Sequence, residues 1–226
     1  MPVFRLDKRL LFPPPDMAEA DGLLAVGGDL SPQRLLLAYS MGIFPWFDEP
    51  PILWWSPDPR VIIEPHKLKI SRRLARTLRS GRFTVTIDRA FAEVIRLCAG
   101  VPRAGQSGTW ITPAMEDAYV RLFQRGFAHS VECWRGTKLA GGIYGVSLGR
   151  CFFGESMFHR ETDASKVALA GLMDHLRRRG FAFLDCQLPS SHLASLGAIE
   201  ISRRDFLLRM KKGEVAPGIP SSPSPF

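Results

Sequence analysis

The stretch "HSVECWRGTKLAGGIYGVSLGRCFFGESMF", residues 129–158, decides the fold. It holds three strand-like runs, "HSVECW", "KLAGGIYGVSL" and "CFFGESMF", joined by short turns containing Arg135-Gly136 and Gly149-Arg150. Apolar runs separated by short glycine-bearing links predict neighbouring antiparallel strands. In the third run Phe153, Glu155 and Met157 alternate with Phe152, Gly154, Ser156 and Phe158. A glutamate is thus threaded into an apolar strand, which is costly unless it is paired or lines a wet cleft.

Downstream, "DASKVALAGLMDHLRRRG" predicts a helix and "FAFLDCQLP" another strand, before the Gly-interrupted segment "HLASLGAIEISRRDFLLRM" ends in a further helix. Strands, helix, strand, helix around one sheet predict the α+β class. The strand "FAFLDCQLP" repeats the oddity of the glutamate. Alternation predicts that Phe183, Asp185 and Gln187 share one face and Leu184, Cys186 and Leu188 the other. One reading is two edge positions facing solvent. The other is a cleft, where a carboxylate accepts a proton or orients an amine, and an amide holds the amine or donates to a carbonyl. Polar groups on two strands of the same half favour the cleft.

Upstream, the first 61 residues read as a small, irregular, aromatic-rich N-terminal domain, too dense in proline for much regular structure. One helix stands out, with Ser31 as N-cap, Pro32 at its first position and Gly42 past its end. Residues 62–212 form the main domain, and 213–226, with "PGIPSSPSPF", predict a disordered tail. At the start of the main domain, Ile70, Leu74 and Leu78 repeat every four residues, so a short helix would bury that stripe and expose Arg72, Arg73, Arg76 and Arg79. "FTVTI" predicts a strand, "AFAEVIRLCAG" a helix closed by Gly100, and Thr112-Pro113 to Gly126 another helix.

The net charge of +8 points to an anionic partner. Cys98, Cys133, Cys151 and Cys186 lie far apart with no CxxC pair, which reads as buried free thiols in a reducing cytoplasm. The five histidines lack ligand spacing, so no metal site is predicted. The chain has no Walker loop, GxSxG or HExxH, and no apolar run long enough to span a membrane. Trp46 in "IFPWF" and Trp110 in "GTWIT" are either core plugs or stacking platforms for unpaired bases. The arginines of 72–79 form either a solvated face or a track for nucleic-acid phosphates.

The motifs "GLLAVGGDLSPQRLLLAYSMGIFPWF", "WWSPDPR", "GTWIT", "GESMF", "ASK", "DCQ" and "HLASLGA" follow in order from about residue 12 to 210. Together they resemble the leucyl/phenylalanyl-tRNA–protein transferase family. The resemblance implies a GNAT-like acyltransferase domain behind a small N-terminal domain. It also implies transfer of Leu, Phe and less efficiently Met from aminoacyl-tRNA to the α-amino group of proteins that begin with Arg or Lys. The product is marked for degradation by the bacterial N-end rule pathway. A cytoplasmic monomer without cofactor is implied as well.

By the same resemblance, Asp185 and Gln187 are the catalytic pair, and Trp46 and Trp110 hold the 3′-terminal adenosine. Ile143, Phe152, Gly154, Met157 and Leu172 form the pocket for the transferred side chain, and Glu155, Tyr39, Tyr119 and Ser190 surround the acceptor peptide. Apart from the resemblance, the phosphate-track reading of Arg72, Arg73, Arg76 and Arg79 would have them contact tRNA phosphates. Ile143, Leu172, Ser190, Asp163 and Val167 depart from the residues usual in the family, respectively Met, Phe, Asn, Asn and Thr. The rival readings are an acetyl-CoA-dependent acyltransferase and a non-catalytic tRNA-binding module. The helix opening "RETDASK" lacks the glycine pattern of a pyrophosphate cradle.

Overall fold

In a computed structural model, residues 3–101, 110–224 and 226 are described. The N-terminal segment is more regular than its proline content predicts. Strands β1 (Phe4–Leu6), β2 (Leu23–Gly27), β3 (Phe44–Pro45) and β4 (Leu53–Trp55) form a sheet in the order β1-β2-β4-β3. The strands are short, and Pro45 sits on the edge strand, where a missing N–H is tolerated. Helix α1 (Pro32–Ser40) begins as expected, with the Ser31 side chain accepting from Arg34 N. Gly42, at φ +73°, supplies the left-handed turn beyond it.

A seven-stranded sheet follows, made of β5 (Arg60–Ile63), β6 (Thr84–Ile87), β7 (Ala128–Arg135), β8 (Lys138–Leu148), β9 (Cys151–His159), β10 (Phe183–Gln187) and β11 (Ile199–Ile201). Its order is β11-β5-β10-β9-β8-β7-β6. The three runs of residues 129–158 are the antiparallel meander β7-β8-β9. β10 lies parallel to β9, so the chain must cross over between them, and helix α5 (Ala164–Arg178) makes that crossing.

The remaining helices are α2 (Arg72–Arg79), α3 (Phe91–Ala99), α4 (Pro113–Gln124), α6 (Ser191–Ser195) and α7 (Arg203–Lys212). Side-chain alternation sorts the core into two layers. Tyr119, Tyr144, Phe153, Phe183 and Phe206 pack in the layer of α3, α4 and α7. Phe152, Leu169, Leu172 and Leu184 pack in the layer of α5. The α+β reading holds. α3 has no capping side chain of its own at Ala90. Buried Glu132 of β7 accepts from Ala90 N at 3.2 Å, from Ser130 Oγ at 2.6 Å and from Thr86 Oγ1 at 2.5 Å, so three donors among the described residues satisfy this interior carboxylate.

Two expectations need correcting. In α2 only Leu74 is buried, while Ile70 and Leu78 are 46% and 38% exposed. A two-turn helix resting on α5 has one apolar row in contact, not a full stripe. The tail forms no regular element among the described residues, yet it packs back on the body. Arg150 N donates to Gly213 O at 2.6 Å, Gly218 N to Ser40 Oγ at 2.9 Å, and the Phe226 ring stacks on His129 and Phe152.

Candidate active site

The β9–β10 ladder ends at Phe153 and Asp185. Beyond that pair the strands part, and two hollows meet in the gap. The smaller, of about 180 Å³, is walled by Phe44, Pro45, Trp46 and Trp110. The larger, of about 760 Å³, is walled by Ile143, Met157, Leu169, Leu184 and Leu193. Glu155, Cys186 and Gln187 line both, so the polar groups stand at the junction. Where the backbone ladder stops, a side chain continues it: Gln187 Nε2 donates to Gly154 O at 2.7 Å. That bond fixes the amide's orientation and leaves Oε1 as its remaining acceptor.

Asp185 and Gln187 do not share a face. Asp185 pairs with Ile62 of β5 and Gln187 with the adjacent Val61, so β10 carries one extra residue at a bulge. Gln187 has φ +58°, an uncommon conformation for a residue with a side chain. Regular alternation keeps Asp185 on the same inward face as Phe183, where it is fully buried, and the bulge that follows turns Gln187 off that face. There Arg60 Nε and Nη2 donate to its Oδ1 and Oδ2 at 2.9 and 2.7 Å, and Gln187 N donates to Oδ1 at 3.0 Å. Asp185 borders the larger hollow, but its carboxylate is fully buried and held by a guanidinium, a geometry that favours orienting Gln187 over accepting a proton. Sequence reasoning missed Arg60. The signal was there in "RVII", a lone cation heading a strand of apolar residues.

Glu155 is partly exposed at the junction and backed by two fully buried tyrosines. Tyr39 Oη donates to its Oε1 at 2.7 Å, Tyr119 Oη to its Oε2 at 2.9 Å, and the two hydroxyls contact each other. With Glu155 ionised both hydroxyls donate to it and neither proton is left for the Tyr39–Tyr119 contact; with Glu155 protonated, its O–H donates to one tyrosine, which donates to the other, and the ring closes. Burial raises the Glu155 carboxyl to about 7, outweighing the opposing tyrosine hydrogen bonds. Burial likewise pushes both tyrosine hydroxyls well above their ordinary range. Tyr39 and Tyr119 therefore hold Glu155 from behind and do not face the cleft, contrary to a direct place beside a peptide.

The other predicted residues divide. Trp46 is partly exposed and Trp110 is 5% exposed, a wall and not a projecting platform; the Gly108 and Thr109 of its motif lie outside the described residues. Ile143, Gly154 and Met157 line the larger hollow, whereas Phe152 and Leu172 are sealed in the core behind it. Leu169 and Leu193 line it too and went unnoticed, since a helical leucine gives no sign of facing a cavity. Ser190 edges the hollow, but its Oγ accepts from Leu193 N as the N-cap of α6. His192 also edges it, its pKa lowered by burial and then by Lys166. All four cysteines are free; Cys98, Cys133 and Cys151 are buried as expected, while Cys186, at the bulge, is only half-buried and lines the cleft. Arg72, Arg73, Arg76 and Arg79 are exposed on α2, with Arg73 paired to Asp163 at 3.2 Å. None of them lines either hollow.

An apolar chamber and an aromatic chamber meeting at an amide and a carboxyl suit an enzyme that handles acyl groups. The comparisons narrow the class. A family model described as Leucyl/phenylalanyl-tRNA protein transferase matches residues 62–211, and one for its N-terminal domain matches 28–58. A leucyl/phenylalanyl-tRNA–protein transferase of Syntrophobacter fumaroxidans is 63% identical, over 92% of this chain and 89% of the relative. One from Anaeromyxobacter sp. (strain Fw109-5) is 60% identical over 93% and 90%, and one from Solidesulfovibrio magneticus 56% over 97% and 89%. Among solved structures, a GCN5-related N-acetyltransferase from Kribbella flavida is similar at TM-score 0.40 and 11% identity, over 73% of this chain and 58% of that one. A likeness so distant carries no argument. The sequence matches define an aminoacyltransferase that uses aminoacyl-tRNA as donor and a protein as acceptor. The chain belongs to the leucyl/phenylalanyl-tRNA protein transferase family. Among the described residues no helix is long and apolar enough to cross a membrane.

Proposed function

We propose that this cleft transfers Leu, Phe and less efficiently Met from aminoacyl-tRNA to the α-amino group of proteins beginning with Arg or Lys. The products would be marked for the bacterial N-end rule pathway, with the enzyme acting as a cytoplasmic monomer. The observation that carries the reading is the junction itself: Glu155 and Gln187 line both the apolar and the aromatic hollow.

The larger hollow takes the apolar side chain of the aminoacyl group, and the Trp46–Trp110 hollow takes the terminal adenosine, so the ester joining them lies across Gln187. An aminoacyl ester is already activated, which leaves the protein to hold amine and ester in line. The acceptor amine, with an ordinary pKa of about 7.7–8.0, loses its proton to solvent near neutral pH. As the C–N bond forms the ester C–O bond breaks, and the amine's second proton passes through solvent to the departing ribose oxygen of the tRNA. Because Gln187 Nε2 is engaged by Gly154 O, the free Oε1 accepts from the amine N–H and aims its lone pair at the ester carbon. An amide is too weak a base to take the proton itself. Asp185 positions Gln187 by accepting from its backbone N–H. Glu155 meets the basic side chain of the acceptor, giving up its ring proton to form the ion pair. The exposed arginines of α2 contact tRNA phosphates away from the reacting atoms. Residues 1–61 and 62–212 act as the two units of this assembly.

A single-turnover assay with Phe-tRNA and an Arg-peptide tests this. Gln187→Ala should slow transfer by about two orders of magnitude while leaving aminoacyl-tRNA affinity within about threefold. A wild-type rate would overturn the assignment.

A further inference from the structure

We propose that Arg60 is a positioning residue for aminoacyl transfer: its guanidinium fixes Gln187, through Asp185, relative to the wall of the aromatic hollow. This rests on the role given to Gln187 above.

The guanidinium is enclosed on all sides. Arg60 is 1% exposed at the start of β5, donates through Nε and Nη2 to both oxygens of Asp185, and reaches Gly42 O through Nη1 at 3.3 Å. The rings of Phe44 and Phe206 lie over it, with centroids 4.7 and 4.6 Å from Cζ. The planar fork meets the carboxylate with two parallel bonds, a geometry lysine cannot reproduce.

Stability is a weak reason for such a pair. Sealing two charges costs desolvation that their attraction roughly repays, and apolar residues of equal size often do as well. What the pair adds is connection. Asp185 Oδ1 accepts from Arg60 Nε and also from Gln187 N, so one oxygen links the cation to the backbone of the cleft residue. That hydrogen bond helps hold Gln187 in its left-handed conformation, and the conformation carries its amide to Gly154 O. On the other side, Gly42 and Phe44 belong to the segment that continues into Pro45 and Trp46, which wall the smaller hollow. A single rigid group therefore sets the distance between the adenosine wall and the amide that meets the amine. Without its fork Asp185 is left buried with one partner lost, and Gln187 is free to leave the left-handed region.

The test is Arg60→Lys in two backgrounds, measured under single turnover. In the otherwise unaltered protein the rate at saturating substrates should fall roughly 10- to 100-fold, with affinity for Phe-tRNA kept within about twofold. In Gln187→Ala protein the same change should cost less than about threefold, because the group it positions is gone. Equal losses in both backgrounds would overturn the proposal and leave Arg60 as a fold anchor, as would an unchanged rate. If Arg60→Lys does not fold, Phe206→Leu removes one of the two rings over the guanidinium. It should slow the intact protein about 3- to 10-fold and the Gln187→Ala protein not at all. An unchanged or equal effect there has the same overturning force. A wild-type rate for Gln187→Ala alone would instead undo the reading of the cleft, and this inference with it.

Discussion

The side-chain amide of Gln187 donates to the main-chain carbonyl of Gly154 at 2.7 Å, one step beyond the last backbone pairing of β9 with β10. Gln187→Glu separates the two tasks the side chain could have. The carboxylate is a better base than an amide, but it cannot donate to Gly154 O and is repelled by it. Positioning predicts a loss of about two orders of magnitude in single-turnover transfer, with unchanged binding of Phe-tRNA. A Gln187→Glu enzyme as fast as the original, or faster at high pH, would mean that proton acceptance limits the step.

Gly154 is constrained from its other side. A Cβ there would stand 3.0 Å from Leu184 Cδ1 and 3.3 Å from Asp185 O. The leucine tip can yield, but the backbone oxygen cannot, so Gly154→Ala must push β9 away from β10 where the cleft opens. The expected outcome is a stability loss of about 1–3 kcal/mol by denaturant unfolding. With it should come a tenfold or greater drop in transfer, because Gly154 O no longer meets the amide.

Glu155 gives the protein a pH dependence whose sign is fixed. Burial raises its carboxyl from an ordinary 4.5 to about 7, so the folded state holds this proton more tightly than the unfolded chain. The associated stability is fully present below about pH 4.5 and is lost as pH rises through about 7. Glu155→Gln cannot ionise, and thermal melts should show it losing less stability than the original between pH 5 and pH 8. A constant difference in Tm between the two proteins across that range would rule out titration of Glu155 there.

Parts of this arrangement are legible in the sequence because they are local. Ser31, Thr112 and the glycines after them mark helix ends that depend on neighbouring residues alone. The meander follows from its short turns. The bulge at Cys186 is different. Alternation assumes a regular ladder, so it places Asp185 beside Phe183 but fails at the extra residue that follows, and the partner of Asp185, Arg60, lies 125 positions away. Tyr39 and Tyr119 meet across 80 positions, so a family pattern can name them while only the fold reveals that they hold Glu155. The N-terminal sheet escaped notice because strands of two to five residues between prolines carry almost no periodic signal.

The role proposed for the arginines of α2 would separate tRNA binding from chemistry. Arg72, Arg76 and Arg79 are exposed, while Arg73 is partly committed to Asp163. Each phosphate contact on a duplex contributes about 0.9 to the slope of log K against log salt. Reversing Arg76 and Arg79 together to Glu should therefore weaken Phe-tRNA binding at low salt and flatten that slope by about 2 if both touch phosphates. At saturating Phe-tRNA the transfer rate should stay near that of the unaltered protein, because α2 lines neither hollow. An unchanged slope would return these arginines to an ordinary solvated face. A fall in the saturated rate would instead mean that α2 orients the acceptor stem over Gln187, which the spacing of charge on a two-turn helix gives no reason to expect.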